Sequence, residues 1–252
     1  MPLNQLSKRV ALTLLAIMIS ILGVTGCMNK KPNPEEIKNK MMTYLQEKYG
    51  EEFVPMSLSF SDWAYSYDRL YAYPKKGTKQ DVFEVWGTKM DDGSYSMSDG
   101  YFGIYIKPEY EKVMNGIVGE VYKDFKLYTS FGEGVMSDQL NKDTKVGEIY
   151  NKDKVFSSHT VVFVKQESAK NINVEQSLIK IAEKMRNKKL MGFVRLYVIW
   201  DKKFDSIGIE AIHDSTIKDE EYFIGKYKSV LVDSHLKIRQ NGEEVEADGG
   251  TN

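Results

Sequence analysis

The chain has 252 residues and a formal charge of −1, with 35 Lys and Arg against 36 Asp and Glu. That interspersed balance gives no electrostatic footprint for nucleic acid, which calls for a basic patch or stripe. A hydrophobic content of 42 % with 16 tyrosines excludes a disordered composition, and a single cysteine excludes a framework of internal disulfides.

Residues 1–9 carry Lys8 and Arg9 and no acid, and residues 10–24 are almost wholly apolar. A basic start followed by an apolar run of about 15 residues matches a secretory signal. A permanent membrane-spanning helix needs about 20. The run ends in Leu22-Gly23-Val24-Thr25-Gly26-Cys27, and Cys27 is the single cysteine. This segment resembles the lipobox of bacterial lipoprotein precursors. The resemblance implies that the Cys27 thiol takes a diacylglycerol and that a signal peptidase recognises Val24, Thr25 and Gly26. Cleavage then makes Cys27 the first residue of a lipoprotein held at the extracytoplasmic face of the cell membrane. Two acyl chains anchor stably where one binds only marginally. Residues 1–26 are then a signal peptide, and residues 27–33 a lipidated N-terminus with a short tether. The residues alone leave an uncleaved N-terminal helix as the alternative.

Asn33 suits an N-cap, Pro34 a first helical position, and Glu36 stands at capping-box spacing. Ile37, Met41, Tyr44, Leu45 and Lys48 share one face, and Gly50 closes the helix. Strands follow over 54–60, in the strongly aromatic 63–73, and over 82–89 and 95–106. Asp92-Gly93 between the last two is the best hairpin signal in the chain. Pro108 reads as the start of a second helix with the stripe Tyr110, Val113, Met114, Ile117, Val118, Val121 and Phe125.

Residues 132–157 lose this patterning and read as a connection. A strand at 159–165 precedes a helix capped by Asn173, with the stripe Leu178, Ile181, Ala182 and Met185. Segments 193–200 and 204–212 read as an antiparallel hairpin, and 227–239 as a last strand. No second apolar run approaches membrane-spanning length. The fold class is therefore α+β, with helices packed on antiparallel sheets: a first domain over 34–131, a connection over 132–157, a second domain over 158–240 and a disordered tail over 241–252. Each half runs helix first and strands after, an order similar to cystatin-like folds in tandem. No fixed-period repeat accompanies it, so duplication is left open.

Glu47–Phe53 and Ser98–Ile104 resemble uncharacterised lipoproteins of Gram-positive bacteria. No catalytic or binding residue comes with that resemblance.

Candidate chemistry is sparse. His159, His213 and His235 are far apart, and the sequence has none of the short ligand spacings of a metal site, so no metal or cofactor is expected. His213-Asp214-Ser215 holds triad residue types side by side, but adjacent strand residues point to opposite faces. No nucleophile elbow or phosphate-binding glycine loop occurs. No catalytic residue is assigned. The strongest feature of the body is aromatic: Trp63, Tyr65 and Tyr67 alternate, with Tyr71 and Tyr73 in phase and Trp86, Tyr95, Tyr101 and Tyr105 able to join the same sheet. Such a face can stack on sugar or peptide, and half-buried sheet positions favour aromatics in any case. Packing is the leading expectation, with Trp63 and Tyr67 largely buried and Tyr65 covered on one side. The functional expectation is a non-enzymatic binding module of the cell envelope. Its partners would be the membrane through the lipid and an envelope protein, peptide or glycan, with no nucleic acid. The alternative is an envelope hydrolase built on dispersed carboxylates.

Overall fold

The computed structural model describes residues 33–132, 134–212 and 219–245, position 219 by its backbone alone. The described residues up to Ile37 and those from Lys38 onward form two separate units. In the first, Asn33 caps the opening helix by accepting the Glu35 N–H on Oδ1 at 3.1 Å.

Helix α1 (Pro34–Tyr49), in the second unit from Lys38 on, leads into a four-stranded antiparallel meander. Its strands, in spatial order, are β1 (Phe53–Ser59), β2 (Asp68–Pro74), β3 (Phe83–Lys89) and β4 (Tyr95–Asp99). The Asp92-Gly93 signal forms the β3–β4 turn, closed by Met90 N–H to Ser94 O at 2.9 Å. One face of the meander is apolar: Leu70, Ala72, Phe83 and Val85 are buried there. Met41, Leu45 and Tyr49 of α1 are buried as well, and the Tyr49 ring meets Phe53 and Tyr101 edge-on. The other face presents Arg69 and Tyr71 on β2 opposite Trp86 and Glu84 on β3.

Three stretches depart from the sequence expectation in this half. Pairing slips between Pro55 and Ser57, which leaves Met56 49 % exposed, so strict alternation along β1 fails at a bulge. Residues 60–67 form a turn instead of an aromatic strand. Asp62 Oδ1 accepts the N–H groups of Ala64 and Tyr65, and Asp62 N–H bonds Tyr65 O at 2.9 Å. Local Asp chemistry outcompetes the β-preference of the rings. The strand read over 95–106 stops at Asp99, where helix α2 (Tyr101–Gly119) begins, and Pro108 lies inside that helix. Asp99 Oδ1 accepts the Tyr101 N–H at 2.9 Å, and the period Phe102, Ile106, Tyr110, Met114, Ile117 puts one buried stripe along it. Burial overrides the strand-like composition of its first turns.

The second sheet has six strands in the order β10-β9-β8-β7-β6-β5. They are β5 (Phe125–Phe131), β6 (Ser158–Lys165), β7 (Gly192–Ile199), β8 (Lys228–Val232), β9 (Ile238–Gln240) and β10 (Glu243–Glu244). All neighbours are antiparallel except β6 and β7. Those two are parallel and joined through helix α3 (Val174–Asn187). Asn173 caps α3 by accepting Gln176 N–H at 3.0 Å, and Leu178, Ile181, Ala182 and Met185 are buried as the stripe predicts. Val161 to Val164 are buried consecutively, the mark of a strand covered on both faces. Helix α3 packs against β8. Phe204, Ile207, Ala211 and Phe223 pack with Val161, Phe163 and Ile199 in a separate cluster.

The α+β class holds. The second half, however, does not repeat the first, because a helical crossover and a parallel pair replace the meander. The segment 204–212 is not a hairpin partner of β7: it forms helical turns at Asp201–Phe204 and Ile209–Ile212, and β8 takes the place beside β7. The strand read over 227–239 is divided at Asp233, whose Oδ1 accepts the His235 and Lys237 N–H groups. Strand β5, which precedes the 132–157 connection, pairs with β6, which follows it. Of the tail, Glu243 and Glu244 pair with β9, and residues 246–252 lie outside the described residues.

Candidate functional site

A cleft of about 760 Å3 opens where the outer face of the meander meets the start of α2 and the end of β5. Tyr71, Glu84 and Trp86 line one side, Gly100, Gly103, Ile104 and Lys107 of the α2 start another, and Thr129 to Gly132 with Met136 the third. Two glycines make the approach possible. A Cβ on Gly100 would lie 2.5 Å from the Gly134 carbonyl oxygen, and one on Gly103 would lie 3.0 Å from Met136 Cε. Met136 N–H bonds Asp99 O at 2.8 Å and Gly100 N–H bonds Glu84 O at 2.9 Å, so the segment after β5 is stitched to the meander beside the α2 start.

Asp99 is the anchor of this junction. It is fully buried and accepts four hydrogen bonds: Lys48 Nζ at 2.7 Å and Tyr44 OH at 2.9 Å on Oδ2, Tyr49 OH at 2.8 Å and Tyr101 N–H at 2.9 Å on Oδ1. The Lys48 side chain is 7 % exposed. Burial, and then the charge of Asp99, push the Tyr44 and Tyr49 phenols well above the ordinary tyrosine range. Every partner is satisfied, which makes this a structural hub rather than a reactive group. Nearby Asp68, also buried, accepts Tyr95 OH at 2.6 Å and Ser61 N–H at 2.7 Å.

Next to the cleft lies an aromatic ledge. Tyr67 stacks on Trp86 with ring centroids 4.3 Å apart and planes 23° from parallel. Tyr65 meets Tyr67 edge-on at 5.7 Å, and the Arg69 guanidinium sits 4.0 Å from the Tyr65 ring centroid. Trp86 Nε1 donates to Glu84 Oε2 at 2.5 Å. The Glu84 carboxylate facing Tyr71 raises its phenol pKa, with burial a lesser cause. Trp63, at the tip of the 60–67 turn, is 98 % exposed and Tyr65 is 41 % exposed.

The structure therefore brings Tyr65, Tyr67 and Trp86 together and leaves Trp63 in solvent, against the expectation that Trp63 packs. Tyr95 lies instead on the inner face beside Gly87, while Tyr101 and Tyr105 belong to α2. The cleft itself is not legible in the sequence, because nothing local marks β5 or the α2 start; Gly100 and Gly103, flanking Tyr101 and Phe102 just after Asp99, are the available signal. Val24, Thr25, Gly26 and Cys27 lie outside the described residues, as do His213, Asp214 and Ser215. His159 sits on β6 and His235 in the turn after β8. Among the described residues, no group of three or more His, Cys, Asp or Glu side chains is placed to hold a metal ion. No described helix is long and apolar enough to cross a membrane.

No protein-family model matches the chain, and no curated protein matches it. Among solved structures, a DUF5037 family protein from Ruminococcus gnavus is similar at 18 % sequence identity and a TM-score of 0.41, over 78 % of this chain and 91 % of that one. No residue role is carried over from it.

Proposed function

We propose that the protein is a lipid-anchored, extracytoplasmic binding module of the cell envelope, without catalytic activity of its own. The anchor rests on the segment Leu22–Cys27, whose thiol is the acyl acceptor in this reading. The binding role rests on one structural observation above all: Trp63 is 98 % exposed on the same 60–67 turn that carries Tyr65 and Tyr67. An indole held in water at the tip of a turn tied down by Asp62 is open to a partner, and aromatic side chains are the usual anchors of such contacts. The fully satisfied Asp99 hub supports a non-enzymatic reading, because the most buried carboxylate at the site is engaged in holding structure.

Retention on isolated cell envelopes tests this reading. A chain beginning after residue 26, with Cys27→Ala, should sediment with the envelopes in a saturable manner. Trp63→Ala should abolish most of that retention while leaving the melting temperature unchanged. Equal retention of both chains would count against the aromatic ledge as the contact surface.

A further inference from the structure

The cleft beside the ledge carries more information than the ledge, because its walls select among ligand chemistries. Its volume, about 760 Å3, lies within the roughly 300–1,000 Å3 of small-ligand pockets. Several backbone N–H groups at its walls that could grip an extended peptide are already used: Gly100 by Glu84 O, Met136 by Asp99 O, Tyr101 by Asp99 Oδ1. Thr129 N–H is taken by Glu111 Oε1 at 2.8 Å, so β5 does not offer that donor to an added strand. Peptide recognition by strand addition needs those main-chain groups free.

The side chains that set its chemistry are an aromatic wall, the Gln80 amide and two charged groups. Trp86 and Tyr71 line the cleft together with Glu84. The Glu84 carboxylate already accepts Trp86 Nε1, which fixes its orientation. A carboxylate has about four acceptor positions, so about three stay open to incoming hydroxyl donors. Lys107 supplies N–H donors from the α2 side. Among the described lining residues, Asp81 and Glu84 are acidic and Lys107 is the cation. Asp81 is engaged with the Thr78 N–H and hydroxyl. This set disfavours an anionic ligand. It suits a molecule with an apolar C–H face to lie on an indole and with hydroxyls to donate to a carboxylate and accept from an ammonium.

We infer that the cleft binds a neutral oligosaccharide, with a sugar ring against Trp86, hydroxyls on Glu84 and a ring or acetamido oxygen on Lys107. This rests on the reading of the protein as an envelope binding module and names the ligand class for a site distinct from Trp63.

The test is titration of the full chain, purified in detergent, with hexamers of N-acetylglucosamine, of β-linked glucose and of α-linked glucose. Heat and tryptophan fluorescence provide the two readouts. At least one hexamer should bind saturably. Trp86→Ala should weaken that binding at least about tenfold, Glu84→Gln several-fold, and Trp86→Phe should restore most of the Trp86→Ala loss. Should Trp86→Ala not fold, as judged by circular dichroism, Glu84→Gln decides, since it preserves shape on a part-exposed residue. The inference is overturned if none of the three hexamers binds, if binding is unchanged in Glu84→Gln and Trp86→Ala alike, or if an oligolysine peptide binds the cleft and no hexamer does. Envelope retention that still depends on Trp63, with no hexamer bound, would remove the cleft inference alone. Hexamer binding without any envelope retention would remove the contact role of Trp63 and leave the cleft.

Discussion

Replacing Asp99 with Asn keeps the shape of the side chain but removes its charge and turns one acceptor oxygen into a donor. The wild-type carboxylate is fully buried and takes four donors between 2.7 and 2.9 Å. Hydrogen bonds to a charged group are worth about 1.5–3 kcal/mol each. Simple addition overshoots, because the two phenols can rotate and Lys48 Nζ, already 4.0 Å from Asp138 Oδ1, can turn towards that exposed carboxylate. The dominant cost is the buried Lys48 ammonium left without its counter-charge, about 3–5 kcal/mol for one half of a buried pair. Urea unfolding of Asp99→Asn should therefore show a stability loss of about 3–5 kcal/mol. Lys48→Met in the same background should recover part of it, with a coupling of about 1–3 kcal/mol in the double-mutant cycle. A loss under about 1 kcal/mol, or strict additivity, would refute the hub, and with it the explanation of how the β4 end, the α2 start and Met136 are held together around the cleft.

Trp63→Ala should change stability by no more than about 0.5 kcal/mol, as an exposed turn residue does; a chemical-denaturation midpoint well below wild type would show that the ring packs after all. Tyr65→Ala should cost about 1 kcal/mol, since its contacts are the Tyr67 edge and the Arg69 cation, and a loss of 3 kcal/mol or more, of the kind about typical for a core ring, would contradict its placement. Tyr44 and Tyr49 have folded-state pKa values raised above the unfolded value of about 10. Their contribution is therefore whole below about pH 10 and is lost as pH rises beyond it towards the folded pKa. The denaturation midpoint should fall between about pH 10 and pH 11, less steeply in Tyr44→Phe, and a flat midpoint there would contradict the burial of these phenols. Gly100→Ala places a Cβ against the Gly134 carbonyl and should destabilise by about 1–3 kcal/mol, read from the melting transition; a neutral effect would mean the segment after β5 does not run where it is described.

Much of the fold is legible where one signal acts alone. Asn33 and Asn173 cap the helices they precede, the Leu178–Met185 stripe is buried, and Asp92-Gly93 turns a hairpin. The sequence misleads where local chemistry and composition disagree. Around Trp63 the rings favour a strand, but Asp62 closes a turn on the backbone of Ala64 and Tyr65. From Tyr101 the composition reads as a strand continuing, yet Asp99 Oδ1 takes the first helical N–H and packing decides the rest. Phe125 fits the α2 stripe by spacing and lies instead in β5, because nothing local marks the chain reversal at Glu120–Asp124. The region 204–212 alternates well enough to be a strand, and it covers the sheet as helical turns because β8, from far along the chain, takes the pairing edge. The aromatic ledge is half visible: the sequence sets Tyr65 and Tyr67 close to Trp86, but the turn at Asp62, not strand phase, brings the rings together, and the exposure of Trp63 and the cleft depend on those non-local choices.

The reading of this protein as a lipid-anchored envelope module depends first on Cys27. Metabolic labelling with a fatty-acid analogue, comparing the wild-type chain with Cys27→Ala in a bacterial host, addresses it directly. Label should enter the wild-type protein and be absent from the variant, which should accumulate as an unprocessed precursor retaining residues 1–26. Equal labelling of the two, or none on the wild type, would contradict the anchor.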